Sequence, residues 1–156
     1  MLIYLSRHGE ASHTGPDKPS SLTPRGQADV TRMAEFLVEK KNFKINAIWH
    51  SPKTRAVQTA QIYWKVLENP KTPMEEKISL SPDGDIHEIY NDLLHQKAGN
   101  FLLVSHLPFL PDLISLLTRD SPGAPDFNFP TSGIAAFEFD KTFRFLWALD
   151  PGSLKK

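Results

Sequence analysis

The amino-acid sequence predicts an α/β fold with a largely parallel central sheet. Short apolar runs, typical of buried strands, alternate along the chain with segments whose apolar residues recur at helical spacing. Near the C-terminal end, the apolar runs at residues 134–139 and 143–147 are separated only by Asp140-Lys-Thr142, which predicts an antiparallel hairpin. There is no internal repeat, coiled coil or long linker, so we expect a single domain over residues 1–156 without a cap insertion.

The first predicted strand–helix unit combines a strand at residues 2–5 with a helix that begins after Thr23. Threonine is a good N-cap residue, and proline is favoured at the first helical position, which Pro24 would occupy. The helix should extend to about Lys40, since apolar residues recur at helical spacing up to that point. Its apolar face consists of Val30, Met33, Ala34, Phe36 and Leu37.

The second unit has the same order of signals. A strand is predicted at residues 45–49, and Ser51-Pro52 repeats the combination of capping residue and proline, so we expect the second helix to start there. The apolar face of this helix consists of Ala56, Ala60, Tyr63, Trp64 and Leu67. Asn69-Pro-Lys-Thr-Pro73 then interrupts the pattern.

The second half of the chain continues with shorter elements. A short strand is predicted at residues 77–80, a turn at Ser81-Pro-Asp-Gly84, and the clearest buried strand at residues 101–104. A helix is predicted after the turn and another after Pro108, and residues 119–132 form a loop rich in proline and glycine. The two helical faces consist of Ile86, Ile89, Tyr90, Leu93 and Leu94, and of Leu110, Leu113, Ile114 and Leu117.

Composition excludes several classes of function. The 18 Lys and Arg residues balance the 18 Asp and Glu residues, so no overall field attracts nucleic acid or an anionic membrane, and we expect neither as a partner. The absence of cysteine excludes disulfides, thiol catalysis and cysteine-ligated metal sites. The N-terminal residues lack the pattern of a signal peptide, and no apolar run approaches the ~20 residues of a membrane span, so we predict a cytoplasmic protein.

Basic side chains follow three of the predicted strands. Arg7 and His8 follow the first strand, Arg55 lies at the start of the second helix, and His106 follows the run that ends at Val104. In open α/β sheets, ligands bind at the carboxyl ends of the strands, so these residues should meet at one edge. Two guanidiniums, two imidazoles and a helix N-terminus describe a pocket for a phosphoryl dianion, and we expect phosphate or sulfate to bind there.

These residues lie in segments that resemble the motifs of the histidine phosphatase superfamily, which has the phosphoglycerate mutase-like fold. The segments, in chain order, are Leu5-Ser-Arg-His-Gly-Glu10, Leu22-Thr-Pro-Arg-Gly26, Ser51-Pro-Lys-Thr-Arg-Ala-Val-Gln-Thr-Ala60, Ser81-Pro-Asp-Gly-Asp85, Val104-Ser-His-Leu-Pro108 and Phe129-Pro-Thr-Ser-Gly-Ile134. Two of them, at residues 81–85 and 129–134, narrow the resemblance to the short SixA-type phosphohistidine phosphatases of bacteria. The resemblance implies a three-layer α/β/α sandwich.

The resemblance also implies a mechanism. His8 would be the nucleophile and would form a covalent phosphohistidine that water then hydrolyses. Arg7, Arg55 and His106 would bind the phosphoryl oxygens, and Gly9 and Leu107 would complete the phosphate pocket. No metal and no cofactor is expected, and the implied partner is a protein domain that carries phosphohistidine.

The general acid is less defined. Larger family members carry a glutamate at a place that falls near Ser79 of this chain, and serine cannot perform that role. We select Asp85 as the candidate acid because it follows the Gly84 turn, with capping of the next helix as its alternative role. Glu10 is a candidate substrate contact that could instead orient its loop, and His13 is a second candidate contact.

Three other functions compete with this one. In a metal site, His8 and His106 would be ligands, but the sequence offers no clear third ligand, and the two arginines would repel a cation. The second alternative is a catalytically inactive module that binds phosphoproteins. The presence of both arginines and both histidines of the predicted pocket argues against it. The third is a small-molecule phosphomonoesterase of the same superfamily, with Asp85 as an effective acid.

We expect His50 to have a structural role and His87 and His95 to lie on the surface.

Overall fold

A computed structural model of the chain describes residues 1–12, 20–119 and 126–154. These residues form six β-strands, four α-helices and two short 3₁₀ helices. The strands are Leu2–Arg7 (β1), Ala47–His50 (β2), Met74–Glu76 (β3), Asn100–Ser105 (β4), Ile134–Phe139 (β5) and Phe143–Leu149 (β6). The helices are Pro24–Lys40 (α1), Thr54–Leu67 (α2), Ile86–Leu94 (α3) and Phe109–Leu117 (α4), and the 3₁₀ helices are Ile78–Leu80 and Pro151–Leu154.

The strands form one mixed sheet in the order β3-β2-β4-β1-β5-β6. The first four strands in this order run parallel to one another, whereas β5 is antiparallel to β1 and pairs with β6 as a C-terminal hairpin. This arrangement confirms the predicted α/β fold with a mostly parallel sheet and an antiparallel hairpin. None of the helices in the described ranges is long and apolar enough to cross a membrane.

Helices cover both faces of the sheet, which makes the architecture a three-layer sandwich. One core cluster packs α3 and α4 against alternate strand residues such as Leu5 and Leu103, and the other packs α1 and α2 against residues such as Tyr4 and Leu102. Helices cover both faces of β4, which is why a continuous run of apolar residues suits this strand. Leu102, Leu103 and Val104 are fully buried. Each buried side chain of this size stabilises the fold by roughly 1.5–3 kcal/mol.

The start of α1 is the predicted one. Thr23 has extended backbone angles, its hydroxyl accepts a hydrogen bond from the amide of Gly26, and Pro24 is the first helical residue. The start of α2 differs from the prediction, because Lys53 and not Ser51 is its N-cap residue and Thr54 is its first helical residue. The hydroxyl of Ser51 instead accepts from the amide of Lys53 and contacts His106, a residue that local sequence does not reveal.

The prediction of a strand at residues 77–80 was wrong. The strand β3 lies earlier, at Met74–Glu76, and the chain then forms the 3₁₀ helix at Ile78–Leu80. The last hydrogen bond to β2 runs from the amide of Lys77 to the carbonyl of His50, and the chain leaves the sheet after it. The turn at residues 81–84 is confirmed by a hydrogen bond from the amide of Gly84 to the carbonyl of Ser81.

Candidate active site

The sheet register brings the predicted basic residues to one edge. Arg7 of β1 is paired with Ser105 of β4, and β4 is paired with β2 up to His50, so the residues that follow these three strands are neighbours. They surround a cavity of about 410 Å³. The described residues that line it are Arg7, His8, Glu10, Ala11, Ser20, Arg55, Pro82, His106, Leu107 and Thr131.

His8 lies directly beyond β1 and is held by main-chain and side-chain hydrogen bonds. Its amide donates to the carbonyl of Ser105 at 3.2 Å, and its own carbonyl accepts from the amide of Ser132 at 3.0 Å. Nδ1 of the ring lies 2.7 Å from the carbonyl oxygen of Gly9. Because a carbonyl only accepts, Nδ1 carries the proton, and the lone pair is on Nε2.

The environment of His8 keeps its imidazole neutral. The side chain is 8% exposed. Burial is the main cause that lowers the pKa of His8 to about 4; the hydrogen bond to the Gly9 carbonyl acts against it, and the positive charges of Arg55 and Arg7 act with it. At neutral pH the ring therefore presents an unprotonated Nε2, the form that can act as a nucleophile.

Arg7 is the last residue of β1 and its guanidinium is oriented by a backbone carbonyl. Nη1 donates to the carbonyl of Phe129 at 2.9 Å. Nε is buried and has no hydrogen-bond partner among the residues that the structure describes. Burial, followed by the charge of Arg55, lowers the pKa of the Arg7 guanidinium. An anion between the two guanidiniums would relieve their repulsion and satisfy the remaining donors.

The segment before β5 clamps the end of β1 in an unusual backbone conformation. Phe129 and Ser132 have positive φ angles of 48° and 66°, a region that side chains other than glycine rarely adopt. Phe129 provides the carbonyl for Arg7, and Ser132 provides the amide for His8. Such strain persists where the surrounding structure fixes it, and here it fixes two neighbouring residues of the site.

Arg55 is the second residue of α2 and therefore lies in the first turn of the helix, as predicted. Its Nε is 3.3 Å from Nε2 of His8. Burial lowers the pKa of the Arg55 guanidinium. The unpaired amides and the positive end of the helix dipole add to its charge, so the first turn of α2 favours an anion.

His106 follows β4 and is 2% exposed. Its Nε2 lies 2.7 Å from the hydroxyl oxygen of Ser51, and its ring centre is 5.0 Å from that of His8. Burial, followed by the electrostatic effects of His8, Arg55, Lys53 and Arg7, lowers the pKa of His106 to about 3. The second imidazole is therefore also neutral at neutral pH.

Gly9 allows helix α1 to approach the site closely. A β-carbon at this position would lie 2.7 Å from Cγ2 of Val30 and 3.0 Å from the carbonyl oxygen of Gly26, so a side chain would displace the helix. The amide of Gly9 donates to the hydroxyl of Thr59 at 3.0 Å, and this hydroxyl donates to the carbonyl of Arg55 at 2.8 Å. Gly9 thereby connects the loop after β1 to helix α2.

The remaining predicted site residues have different positions. Glu10 lines the cavity, but its Oε1 accepts a hydrogen bond from the hydroxyl of Thr23 at 2.7 Å, which supports the loop-orienting alternative. Leu107 lines the cavity and is half-buried. His13 lies outside the described residues.

Asp85 requires a correction. It is exposed, it does not line the cavity, and its Oδ1 accepts from the amides of His87 and Glu88 as the N-cap of α3. The prediction that its carboxylate points into the site was wrong, and the capping alternative describes what the structure has. The reason is local: two free helix amides lie within hydrogen-bond distance of the carboxylate.

The other histidines have the predicted positions. His50 is buried at the end of β2, and its Nδ1 lies 2.9 Å from the carbonyl oxygen of Ser51, as a structural role requires. His87 and His95 are exposed on and after α3.

Sequence reasoning did not identify several residues of the site. Thr131 and Ser20 line the cavity, and Phe129 and Ser51 orient Arg7 and His106. Thr131 and Phe129 belong to the motif at residues 129–134, so that motif was the available signal for them. The contact through the Phe129 carbonyl had no signal, because every residue offers a carbonyl.

A larger cavity of about 820 Å³ lies between α1 and α2. Its described lining residues include Glu35, Glu39 and Lys65, and it has no histidine or arginine. We place the chemistry in the smaller cavity, since the guanidiniums and neutral imidazoles meet there.

Comparison with known proteins identifies a family and several similar solved structures. The family model of the histidine phosphatase superfamily (branch 1) matches residues 3–80. The solved structure of the protein histidine phosphatase SixA complexed with tungstate is similar over 99% of this chain and 100% of its own length, with 30% identity and a TM-score of 0.87. A search of curated protein sequences found no match.

Two further structures are similar in fold. A mutant phosphoserine phosphatase from Entamoeba histolytica in complex with phosphoserine covers 99% of both chains, with 18% identity and a TM-score of 0.71. The ecdysone phosphate phosphatase of Bombix mori, in complex with tungstate, covers 94% of this chain and 92% of its own, with 14% identity and a TM-score of 0.70.

Proposed function

The chain belongs to the histidine phosphatase superfamily and is therefore a phosphatase, and we propose that its substrate is a phosphohistidine on a protein, hydrolysed through a covalent intermediate on His8. One observation carries the assignment of the nucleophile. The bond from Nδ1 of His8 to the Gly9 carbonyl leaves the lone pair on Nε2, which faces the guanidinium of Arg55 at 3.3 Å. A neutral imidazole is thus held where an anionic phosphoryl group would be attracted.

The reaction has two displacements at phosphorus. In the first, Nε2 of His8 bonds to phosphorus, the phosphorus–nitrogen bond of the substrate breaks, and the departing imidazole takes a proton from solvent. In the second, a water oxygen bonds to phosphorus and the bond to Nε2 breaks. Phosphate leaves with one proton of the water, the other proton goes to solvent, and neutral His8 is regenerated.

The charges of the pocket support both steps without a metal ion. Phosphoryl transfer requires mainly positioning and neutralisation of the equatorial oxygens. Arg7 has donors left after Nη1 is bound to Phe129, and Arg55 adds its guanidinium and the first turn of α2. Planar guanidiniums bind two oxygens of one phosphoryl group, so the protein itself can supply the charge that a divalent ion would otherwise bring.

The preference for phosphohistidine rests on the acid that the leaving group needs. A phosphomonoester expels an alkoxide and depends on a positioned acid, whereas the imidazole of phosphohistidine leaves once solvent has protonated it. Among the described lining residues, Glu10 is the only carboxylate, and it is bound to the hydroxyl of Thr23. Asp85 is occupied as a helix cap. This pocket therefore favours a leaving group that does not depend on a positioned acid.

The chain around the pocket also supports a macromolecular substrate. The family resemblance implies that larger members insert a lid in segments that are short in this chain. One of these, residues 68–80, folds onto the sheet edge as β3 and a 3₁₀ helix. A phosphoprotein can add contacts around the rim of a pocket over which residues 68–80 form no lid. Similarity to the SixA structure points the same way, since that protein is a protein histidine phosphatase.

The test compares kcat/KM on a phosphohistidine carrier domain with kcat/KM on a panel of sugar phosphates and nucleotides. We expect the phosphoprotein to be the better substrate. If a small ester is turned over faster than every phosphohistidine protein tried, the chain is a small-molecule phosphomonoesterase. If the protein binds the phosphoprotein but turns over none of the substrates, it is a binding module.

A further inference from the structure

Ser51 has no place in the mechanism described so far, yet each of its polar groups is engaged. The residue is fully buried between β2 and α2. Its amide donates to the carbonyl of Val104 at 3.1 Å, and its carbonyl lies 2.9 Å from Nδ1 of His50. Its hydroxyl oxygen accepts from the amide of Lys53 at 3.1 Å and lies 2.7 Å from Nε2 of His106.

We propose that Ser51 is a positioning residue that holds His106 in the tautomer with the proton on Nδ1, so that this nitrogen donates to the transferring phosphoryl group. The tautomer assignment stands on the geometry of Ser51 alone. Its consequence for phosphoryl transfer rests on the proposed function.

The direction of the hydrogen bond follows from the capacity of the hydroxyl. A serine hydroxyl has one proton to donate and two lone pairs that accept. If Nε2 of His106 donated, the hydroxyl would accept twice, and its own proton would have no acceptor among the described residues at a fully buried position. If the hydroxyl donates to Nε2, its proton is used and the Lys53 amide is satisfied as well.

Nδ1 of His106 is then the nitrogen available to a ligand. It is buried and has no hydrogen-bond partner among the residues that the structure describes. His106 lines the cavity beside His8, with 5.0 Å between the ring centres. A phosphoryl oxygen is an acceptor and can bind only a protonated ring nitrogen, so the tautomer decides whether His106 assists or repels the substrate.

The low pKa of His106 makes this choice necessary. Because this pKa is about 3, the ring is neutral at neutral pH and carries a proton on only one of its two nitrogens. A doubly protonated ring could donate from both nitrogens, but a neutral ring donates from one, which its hydrogen-bond partner selects. Ser51 also accepts from the amide of the N-cap residue of α2, the helix that carries Arg55, so the same hydroxyl sets the position of both phosphate-binding elements relative to each other.

The test is the ring-nitrogen NMR spectrum of His106 in the whole protein near neutral pH, with kcat measured on a phosphohistidine carrier domain. Wild type should show a protonated Nδ1 and an unprotonated Nε2. Ser51→Ala should move part of the population to the Nε2–H form and lower kcat by about 10–100-fold, the range found when a metal-ligating histidine loses its supporting hydrogen-bond partner. The matched control is Ser105→Ala, because Ser105 is equally buried but its hydroxyl donates to the carbonyl of Leu80. This control should leave the tautomer unchanged.

The spectrum separates the inference from the proposed function. A wild-type His106 with its proton on Nε2, or the same tautomer population in Ser51→Ala as in wild type, overturns the inference, and the wild-type spectrum decides it even if the variant does not fold. A protein that shows the Nδ1–H tautomer but hydrolyses no phosphohistidine supports the tautomer assignment and contradicts the proposed function.

Discussion

Nε of Arg55 lies 3.3 Å from Nε2 of His8, so the guanidinium donates to the lone pair that the proposed reaction uses. The contact holds the imidazole in its neutral, Nδ1-protonated form, since a protonated Nε2 would repel the donor. When a phosphoryl group approaches, its oxygens must take over this donor and thereby release the lone pair. In the proposed reaction, Arg55 would therefore have two roles: it would hold the imidazole of His8 in its neutral form, and it would bind the charged phosphoryl oxygens.

The first prediction concerns this pair. Arg55→Lys keeps the positive charge but removes the planar fork, so kcat/KM should fall by roughly 10²–10³, the range for loss of a key donor. The matched control is Arg25→Lys, because Arg25 is exposed in the first helix, where it pairs with Asp29. Turnover of the control should equal that of wild type. Equal losses in both variants would show that Arg55 is not part of the site.

His8→Ala should abolish turnover without unfolding the protein. The ring lies at the sheet edge against the cavity, and the main-chain bonds to Ser105 and Ser132 do not depend on the side chain. Rapid quench of the wild-type enzyme with a phosphohistidine substrate should trap acid-labile phosphate on the protein, and the variant should trap none. Turnover at the wild-type rate in His8→Ala would rule out the covalent mechanism.

The fold and the four basic residues could be predicted because their signals are local or repeated. Thr23-Pro24 starts α1 as predicted, since the threonine hydroxyl reaches an amide three residues away. Ser51-Pro52 has the same local pattern, yet the helix starts at Thr54, because the Ser51 hydroxyl also contacts His106, 55 positions away in sequence.

The same limit applies to Asp85 and Phe129. Sequence places Asp85 after a turn but does not give the direction of its carboxylate, and the nearest partners proved to be the amides of α3. The carbonyl of Phe129 orients Arg7 from 122 positions away, and main-chain acceptors leave no trace in residue type. Contacts between distant segments are what the sequence pattern could not show.

The correction of Asp85 leads to a prediction with two variants. Asp85→Ala removes the acceptor for the amides of His87 and Glu88 and should lower the free energy of unfolding by about 1 kcal/mol. Asp85→Asn keeps a capping oxygen and should be close to wild type in stability. Both should turn over phosphohistidine at the wild-type rate once folded. A selective loss of small-ester hydrolysis in Asp85→Asn would instead identify this residue as the acid of a phosphomonoesterase.

Activity should not require a metal ion. Arg7 and Arg55 already place positive charge around the proposed phosphoryl position, and burial, followed by the charge of Arg55, lowers the pKa of the Arg7 guanidinium. Dialysis against a chelator should leave kcat/KM unchanged, and added divalent ions should not raise it. Loss of activity in chelator that a divalent ion restores would contradict this and would favour the metal-site alternative.

The final prediction is that acid destabilises the protein through His8 and His106. Their pKa values are lowered from 6.5 to about 4 and about 3. Between pH 6.5 and these lowered pKa values, the unfolded chain binds protons that the folded chain does not. The free energy of unfolding therefore falls as pH falls from about 6.5 towards 4, and the two histidines do not change it above pH 6.5. Each histidine contributes at most about 1.4 kcal/mol per pH unit.

Urea unfolding in phosphate-free buffers checks this pH dependence, because phosphate would bind the folded site and mask it. The free energy of unfolding of wild type should be lower at about pH 5 than at about pH 7, and the double variant His8→Asn/His106→Asn should lose less over the same interval. The carboxylates, common to both proteins, cancel in the difference. If the two proteins lose the same stability on acidification, the neutral imidazoles do not resist protonation, and the nucleophile assigned to His8 would be protonated in mild acid.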